Sequence, residues 1–299
     1  MDLTAHKSVI AVLIIISMTS ISIFWKDKYS HLVTIDRHYN QIKENIITDR
    51  RYPIETNLAT TSVTILAYHS VREIRPEDSL VAREMYITSP ALFTTEMQYL
   101  KDNNYHVVTM DDLMESLSRA SNTPELALPT NSVIITFDDG YKSQHTFALP
   151  ILQAFNYKAI FFIYTKSVGV YRVSMTWADV MDLKQKGMTI GGHTYSHPKL
   201  NQITDPEDLD YEIVDSKNDI ENHLGEHIQY FAYPYGLYNK NVMNKVKESG
   251  YKAALADTAG TNNIVHRLYA LSRHNIGNNF EIFKKSLPTI ISTSTKSLS

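Results

Sequence analysis

The chain predicts an α/β fold built on a parallel sheet or barrel, and three observations carry that reading. Short β-branched and aromatic runs, V-T-I-L-A-Y at 63–68, S-V-I-I-T-F at 132–137 and A-I-F-F-I-Y at 159–164, alternate with helical patterns of about ten residues or more. The runs are continuously apolar, as strands covered on both faces are. Several stop at polar side chains capable of chemistry, and α/β sheets and barrels hold their sites beyond the carboxyl ends of their strands.

With 299 residues, 43% of them hydrophobic, and a formal charge of −3, the chain can bury one large α/β core or two smaller ones. A sequence pI near 6.5 and the lack of any basic cluster exclude nucleic acid as the expected partner. The absence of cysteine excludes disulfides, thiolate chemistry, Cys-based zinc sites and a lipid-modified N-terminal Cys. The 12 His and 19 Tyr exceed what an average domain carries, and the tyrosines suit either sugar-facing surfaces or amphipathic core edges.

In order along the chain, residues 1–7 are a short tail, and 8–25 are apolar and uncharged between Lys7 and Lys26. About 18 residues at ~1.5 Å each reach ~27 Å, close to a bilayer core. This is expected to be an uncleaved transmembrane anchor, with a signal segment the competing reading, since no small-x-small cleavage site follows. The polar stretch 26–60 is expected as a stalk, and 61–290 as the single catalytic domain, held outside the cytoplasm and anchored or secreted.

Within that domain a strand at 63–68 runs into His69. A helix at 89–103 has Ser89 as cap, Pro90 in its first turn, and Leu92, Phe93, Met97 and Leu100 on one face. A strand at 106–109, a helix at 111–119 and a Pro-containing loop lead to the strand 132–137, which stops at Asp138, Asp139 and Gly140. Then come a helix at 146–155, a strand at 159–164, a helix at 177–186 capped by Thr176, and a strand at 188–190. A helix at 205–223, a strand at 230–232, a Y-P-Y-G turn at 233–236 and a helix at 239–249 follow. Strands at 252–256 and 268–272, with Arg273 and His274 at the end of the second, precede a helix at 280–287; the Ser/Thr-rich tail 291–299 is expected to be disordered.

Two adjacent acids repel each other unless a cation is near, although Asp-Asp-Gly also makes an ordinary turn. His193 and His197, set between a Gly pair and Pro198, occupy a tight loop at another strand end. With the Asp138–Asp139 pair they complete a set of two His and one carboxylate that leaves positions open for water and substrate. A lone His such as His69 is more often structural than catalytic.

Together, T-F-D-D-G at 136–140, H-T-Y-S-H at 193–197 and Y-P-Y-G at 233–236 resemble the first three motifs of the NodB-homology polysaccharide deacetylases, carbohydrate esterase family four. The resemblance extends over about 63–282, with the motifs in the right order. It implies a distorted (β/α) barrel that hydrolyses N-acetyl groups on an N-acetylglucosamine polymer. It also implies a divalent ion, most simply Zn²⁺, on Asp139, His193 and His197, with Asp138 as base and the Tyr235 backbone N–H at the oxyanion. Two departures narrow it. Ala232 stands where the third motif has its Arg, and no clear fifth motif is found in L-Y-A-L-S-R-H-N at 268–275. Both resemble the intercellular-adhesion branch that deacetylates poly-β-1,6-N-acetylglucosamine in biofilm exopolysaccharide. There the motifs are circularly permuted and an early strand ending in Y-H supplies the acid, which matches I-L-A-Y-H-S-V at 65–71 and so His69. Arg273 then replaces the missing Arg in orienting Asp138, with His274 the alternative acid, and exopolysaccharide synthase machinery is a candidate partner. A peptidoglycan N-acetylglucosamine deacetylase would use the same residues. A non-haem iron oxygenase would also use two His and a carboxylate, but its short His-x-Asp element is absent. A non-catalytic glycan-binding module would not need the complete set.

Overall fold

A ring of parallel strands surrounds one apolar axis in the computed structural model, which describes residues 62–119, 128–257, 262–263 and 267–288. The expected anchor at 8–25, the tail and stalk on either side of it, and the tail at 291–299 lie outside the described residues. Among the described residues no helix is long and apolar enough to cross a membrane.

The ring strands are β1 (Ser62–Tyr68), β2 (Ser132–Phe137), β3 (Ile160–Ile163), β4 (Thr189–Gly192), β5 (Tyr230–Ala232), β6 (Ala253–Ala256) and a broken β7 (Leu271–Ser272 and His274–Asn275). Their registers run Ile65 to Ile134, Phe137 to Phe161, Ile163 to Gly192, Gly192 to Phe231 and Ala232 to Leu255. The two pieces of β7 pair with different neighbours, Leu271 with Leu255 of β6 and His274 with Leu66 of β1. Arg273 sits at the switch, its N–H donating to Ala256 O at 3.0 Å, and Ile276 N–H continues to Ala67 O at 2.8 Å. The barrel is therefore parallel and nearly closed, with its distortion concentrated at Arg273.

Alternate side chains of the strands meet on the axis. Ile65, Ile134, Phe162, Tyr230, Leu255 and Leu271 form one buried cluster, joined by Met110 and Leu113. In β4 the axial position level with Phe162 is Gly191, where a Cβ would lie 2.5 Å from the Phe162 ring and 2.9 Å from Tyr230 O. On the outer face Tyr68, Phe93, Phe137 and Phe161 pack ring to ring at 4.7–5.7 Å.

The helices are α1 (Leu80–Met85), α2 (Pro90–Asp102), α3 (Met110–Arg119), α4 (Leu149–Ala154), α5 (Trp177–Gln185), α6 (Pro206–Asp210), α7 (Ser216–Leu224), α8 (Lys240–Glu248) and α9 (Phe280–Ser286). The caps read from sequence hold. Ser89 accepts from Leu92 N–H, and Thr176 forms a capping box with Asp179. Four expectations change. The helix foreseen at 146–155 begins in a π turn, Gln144–Ala148, and the one at 205–223 is α6 and α7 joined by a second π turn, Tyr211–Asp215. In each case a buried polar residue, Gln144 or Glu212, sits in the widened turn. β4 runs through both glycines instead of ending before them, because strand contacts there leave no room for side chains. The strand foreseen at 268–272 starts only at Leu271, after a turn closed by Ala270 N–H on Arg267 O.

Candidate active site

β2 delivers two carboxylates because the chain reverses immediately after it. Asp138 follows the strand, while Asp139 (φ 71°) and Gly140 (φ 64°) are both left-handed. Such a conformation strains a non-glycine residue by about 1–3 kcal/mol, so it persists only where the surroundings fix it.

Asp138 is 1% exposed and lies at the barrel axis against the equally buried Arg273. The guanidinium donates to both of its oxygens, Nη1 to Oδ1 at 2.7 Å and Nη2 to Oδ2 at 2.6 Å. Nη1 also reaches Thr136 Oγ1 at 3.2 Å and Nη2 reaches Asp257 Oδ1 at 2.6 Å. Burial pushes the Asp138 carboxyl up, but the Arg273 charge, then His193, hold it well below the usual carboxylate range. Arg273 thus occupies the place anticipated for it beside Asp138.

Asp139 points to the imidazoles. Its Oδ1 is 3.6 Å from His193 Nε2 and 3.3 Å from His197 Nε2, and one donor atom from each residue lies within 4.8 Å of the others. His193 directly follows β4, and its Nδ1–H donates to Ala232 O at 2.7 Å, which leaves the Nε2 lone pair for the cluster. Tetrahedral Zn²⁺ with ligand bonds of about 2.0–2.2 Å requires donors ~3.3–3.6 Å apart, and the two Oδ1–Nε2 separations match this. The three residues fit a divalent ion. Burial and then the His193 charge lower the His197 imidazole to about 4, so it is neutral and ready to ligate at pH 7.

His69 directly follows β1 and is buried, its ring edge-on to Tyr86 at 4.9 Å. The buried Gln144 donates from Nε2 to both His69 O at 2.9 Å and Asp138 O at 2.5 Å, tying the ends of β1 and β2 together. His69 also contributes to the lowering of both carboxyls. Tyr235 is left-handed (φ 59°) in the turn Pro234–Gly236, and the hydrogen bonds that close this turn come from Gly236 and Leu237, so neither uses the Tyr235 N–H. Its ring lies 4.7 Å from that of His197, with Tyr164 at 5.5 Å on His197 as well. His274 follows Arg273 on β7, where consecutive side chains alternate between faces.

The structure therefore gathers Asp138, Asp139, His193, His197, His69, Tyr235 and Arg273 at the carboxyl ends of the strands. Sequence reasoning missed Asp257, although it directly follows a strand as the other acids do, and it missed Gln144. It also missed Tyr141, whose hydroxyl is held protonated by burial and by Asp139.

Fold and donor set define the class: a parallel α/β barrel whose mouth carries a carboxylate and two imidazoles spaced so that they could hold a divalent cation. Residues 126–254 match the family model described as polysaccharide deacetylase. It is similar to YxkH of Bacillus subtilis (strain 168), described as a polysaccharide deacetylase, at 30% identity over 60% of this chain and 62% of that protein. It is also similar to the poly-beta-1,6-N-acetyl-D-glucosamine N-deacetylase of Escherichia coli (strain K12), at 28% identity over 40% of this chain and 16% of that one. The alignments thus span less than two thirds of these relatives. The Streptococcus pyogenes deacetylase PplD, solved with acetate, superposes with a TM-score of 0.69 at 27% identity, over 78% of this chain and 100% of that one.

Proposed function

We propose that the protein hydrolyses N-acetyl groups from an N-acetylglucosamine polymer, with the poly-β-1,6-linked exopolysaccharide as substrate. The observation that carries the reading is Asp138, kept ionised by Arg273 in a buried site next to the Asp139–His193–His197 donor set. Asp139, His193 and His197 would hold the ion, most simply Zn²⁺. When bound, such an ion polarises the acetyl carbonyl and acidifies water.

The protein's own groups supply the remaining steps. Asp138 takes the proton of the attacking water as its oxygen joins the acetyl carbon. The Tyr235 N–H holds the developing oxyanion, where a fixed donor is worth about 3 kcal/mol. The C–N bond breaks as His69 gives a proton to the departing amine, releasing acetate and the free amino sugar. The β-1,6 linkage is supported by the early Tyr68–His69 strand end and by the names of relatives in Escherichia coli and Staphylococcus epidermidis. Action outside the cytoplasm, on polymer supplied by a synthase complex, belongs to the same reading.

The test is acetate release by the full chain from β-1,6-linked N-acetylglucosamine oligomers and from peptidoglycan fragments, with and without chelator. Release from the first alone, abolished by chelator and reduced at least ~10³-fold by Asp138→Asn, is expected. Preference for peptidoglycan fragments would move the substrate, and full activity of Asp138→Asn would remove the mechanism.

A further inference from the structure

We propose that Glu212 is a positioning residue that holds the segment between His193 and His197 in its metal-binding conformation. This rests on the metal reading above and extends it to a side chain that carries no ligand atom.

The two imidazoles are held by different means. His193 belongs to the barrel, with its N–H on Ile163 O at 3.0 Å and its Nδ1 on Ala232 O. His197 lies beyond the strand, in a loop with two left-handed non-glycine residues, Thr194 (φ 71°) and His197 itself (φ 63°). Only a surrounding that over-determines the backbone keeps such a loop in place, and Glu212 supplies much of it. Its Oε2 accepts from Tyr195 N–H at 3.0 Å and Ser196 N–H at 2.8 Å, its Oε1 accepts from Ser196 Oγ at 2.5 Å, and its own carbonyl accepts from Tyr195 N–H at 3.1 Å. On the other side, Thr165 N–H and Lys166 N–H bind the carbonyls of Thr194 and Tyr195 at 3.2 and 2.9 Å. The loop is gripped through its donors by Glu212 and through its acceptors by the turn Thr165–Ser167 that follows β3.

Three features show that the carboxylate serves the loop. Glu212 is only 7% exposed, and none of the described ion pairs involves it, so its charge is met by the hydrogen bonds from the loop. It lies in the π turn Tyr211–Asp215, where the helix widens, and Ser216 Oγ closes on its carbonyl at 2.7 Å. A π turn inside a helix commonly marks such a functional placement. Groups that orient metal ligands matter nearly as much as the ligands do.

The experiment is Zn²⁺ binding to the chelator-stripped full chain, read by competition with a chromophoric chelator, alongside thermal melts of the stripped proteins. Glu212→Ala is expected to bind Zn²⁺ roughly 10- to 100-fold more weakly. Glu212→Gln is expected to stay within about threefold of wild type, because its amide oxygen still accepts both N–H groups and its NH₂ can donate to Ser196 Oγ. If stripped Glu212→Ala shows no cooperative melt, Ser196→Ala replaces it, with about threefold weaker binding expected from loss of one contact. Wild-type affinity in folded Glu212→Ala, or in Ser196→Ala when it serves as the replacement, overturns the proposal. So does a loss in Glu212→Gln equal to that in Glu212→Ala. Failure of the wild-type chain to bind Zn²⁺ would instead overturn the metal reading on which the proposal rests.

Discussion

At the scale of single residues, the site depends on carboxyls whose protonation is fixed by burial and partner together. Asp138 shows the downward case. Its folded pKa lies below the unfolded value of ~3.9, so its pair with Arg273 stabilises the fold above that pH and loses the contribution as pH falls through the folded value. Arg273→Gln leaves burial unopposed by its nearest cation, so Asp138 should titrate higher. The acidic limb of kcat/KM is expected to move up by at least ~1 pH unit, and a pH–rate profile checks it; an unmoved limb would mean that Asp138 is not the base. Glu96 shows the upward case. It is buried beneath Tyr68, whose hydroxyl donates to it at 2.9 Å, and burial pushes its carboxyl well above the usual range. The folded state therefore binds a proton that the unfolded state releases above ~4.3, and stability falls as pH rises from there, by up to ~1.4 kcal/mol per unit. Glu96→Gln removes that slope. Its advantage over wild type in urea melts should grow between pH 5 and 7, and a gap independent of pH would show that Glu96 is ionised in the fold.

At the scale of elements, β4 is held close to its neighbours by glycines. A Cβ on Gly192 would lie 2.2 Å from Tyr251 Oη, and Tyr251 is fully buried, so the strand has to shift. Gly192→Ala should destabilise by about 1–3 kcal/mol and, through the adjoining His193, weaken Zn²⁺ binding; denaturant melts and chelator competition measure the two effects. What the sequence reveals follows from how local each cause is. Ser89 and Thr176 announce their helices because a cap bonds to N–H groups within a few residues. Asp138, Asp139, His193 and His197 stand out because strand ends place them together. The π turns at Gln144 and Glu212, and the role of Asp257, stay hidden because their partners are remote: Gln144 reaches His69, and Asp257 meets Arg273. The break in β7 is not local either, since it arises from pairing with β6 on one side and β1 on the other.

At the scale of the molecule, that break joins the two ends of the described chain. β1 starts at Ser62, and β7 returns more than two hundred residues later to pair with it, so the barrel is completed only after the intervening elements are in place. The same segment contributes Arg273, which ties β7 to Asp138 after β2 and to Asp257 after β6. Closing the ring and charging the site are therefore one event. A fragment spanning 61–290 retains every described element and should melt cooperatively and release acetate from soluble oligomers at the rate of the full chain. A fragment ending at residue 270 lacks β7, exposes the edges of β1 and β6, and leaves Asp138 buried without its cation, a defect worth about 3–5 kcal/mol by itself. It should show neither a cooperative melt nor acetate release. A folded but inactive fragment would mean that β7 serves the site alone, and an active one would mean that Asp138 does not need Arg273.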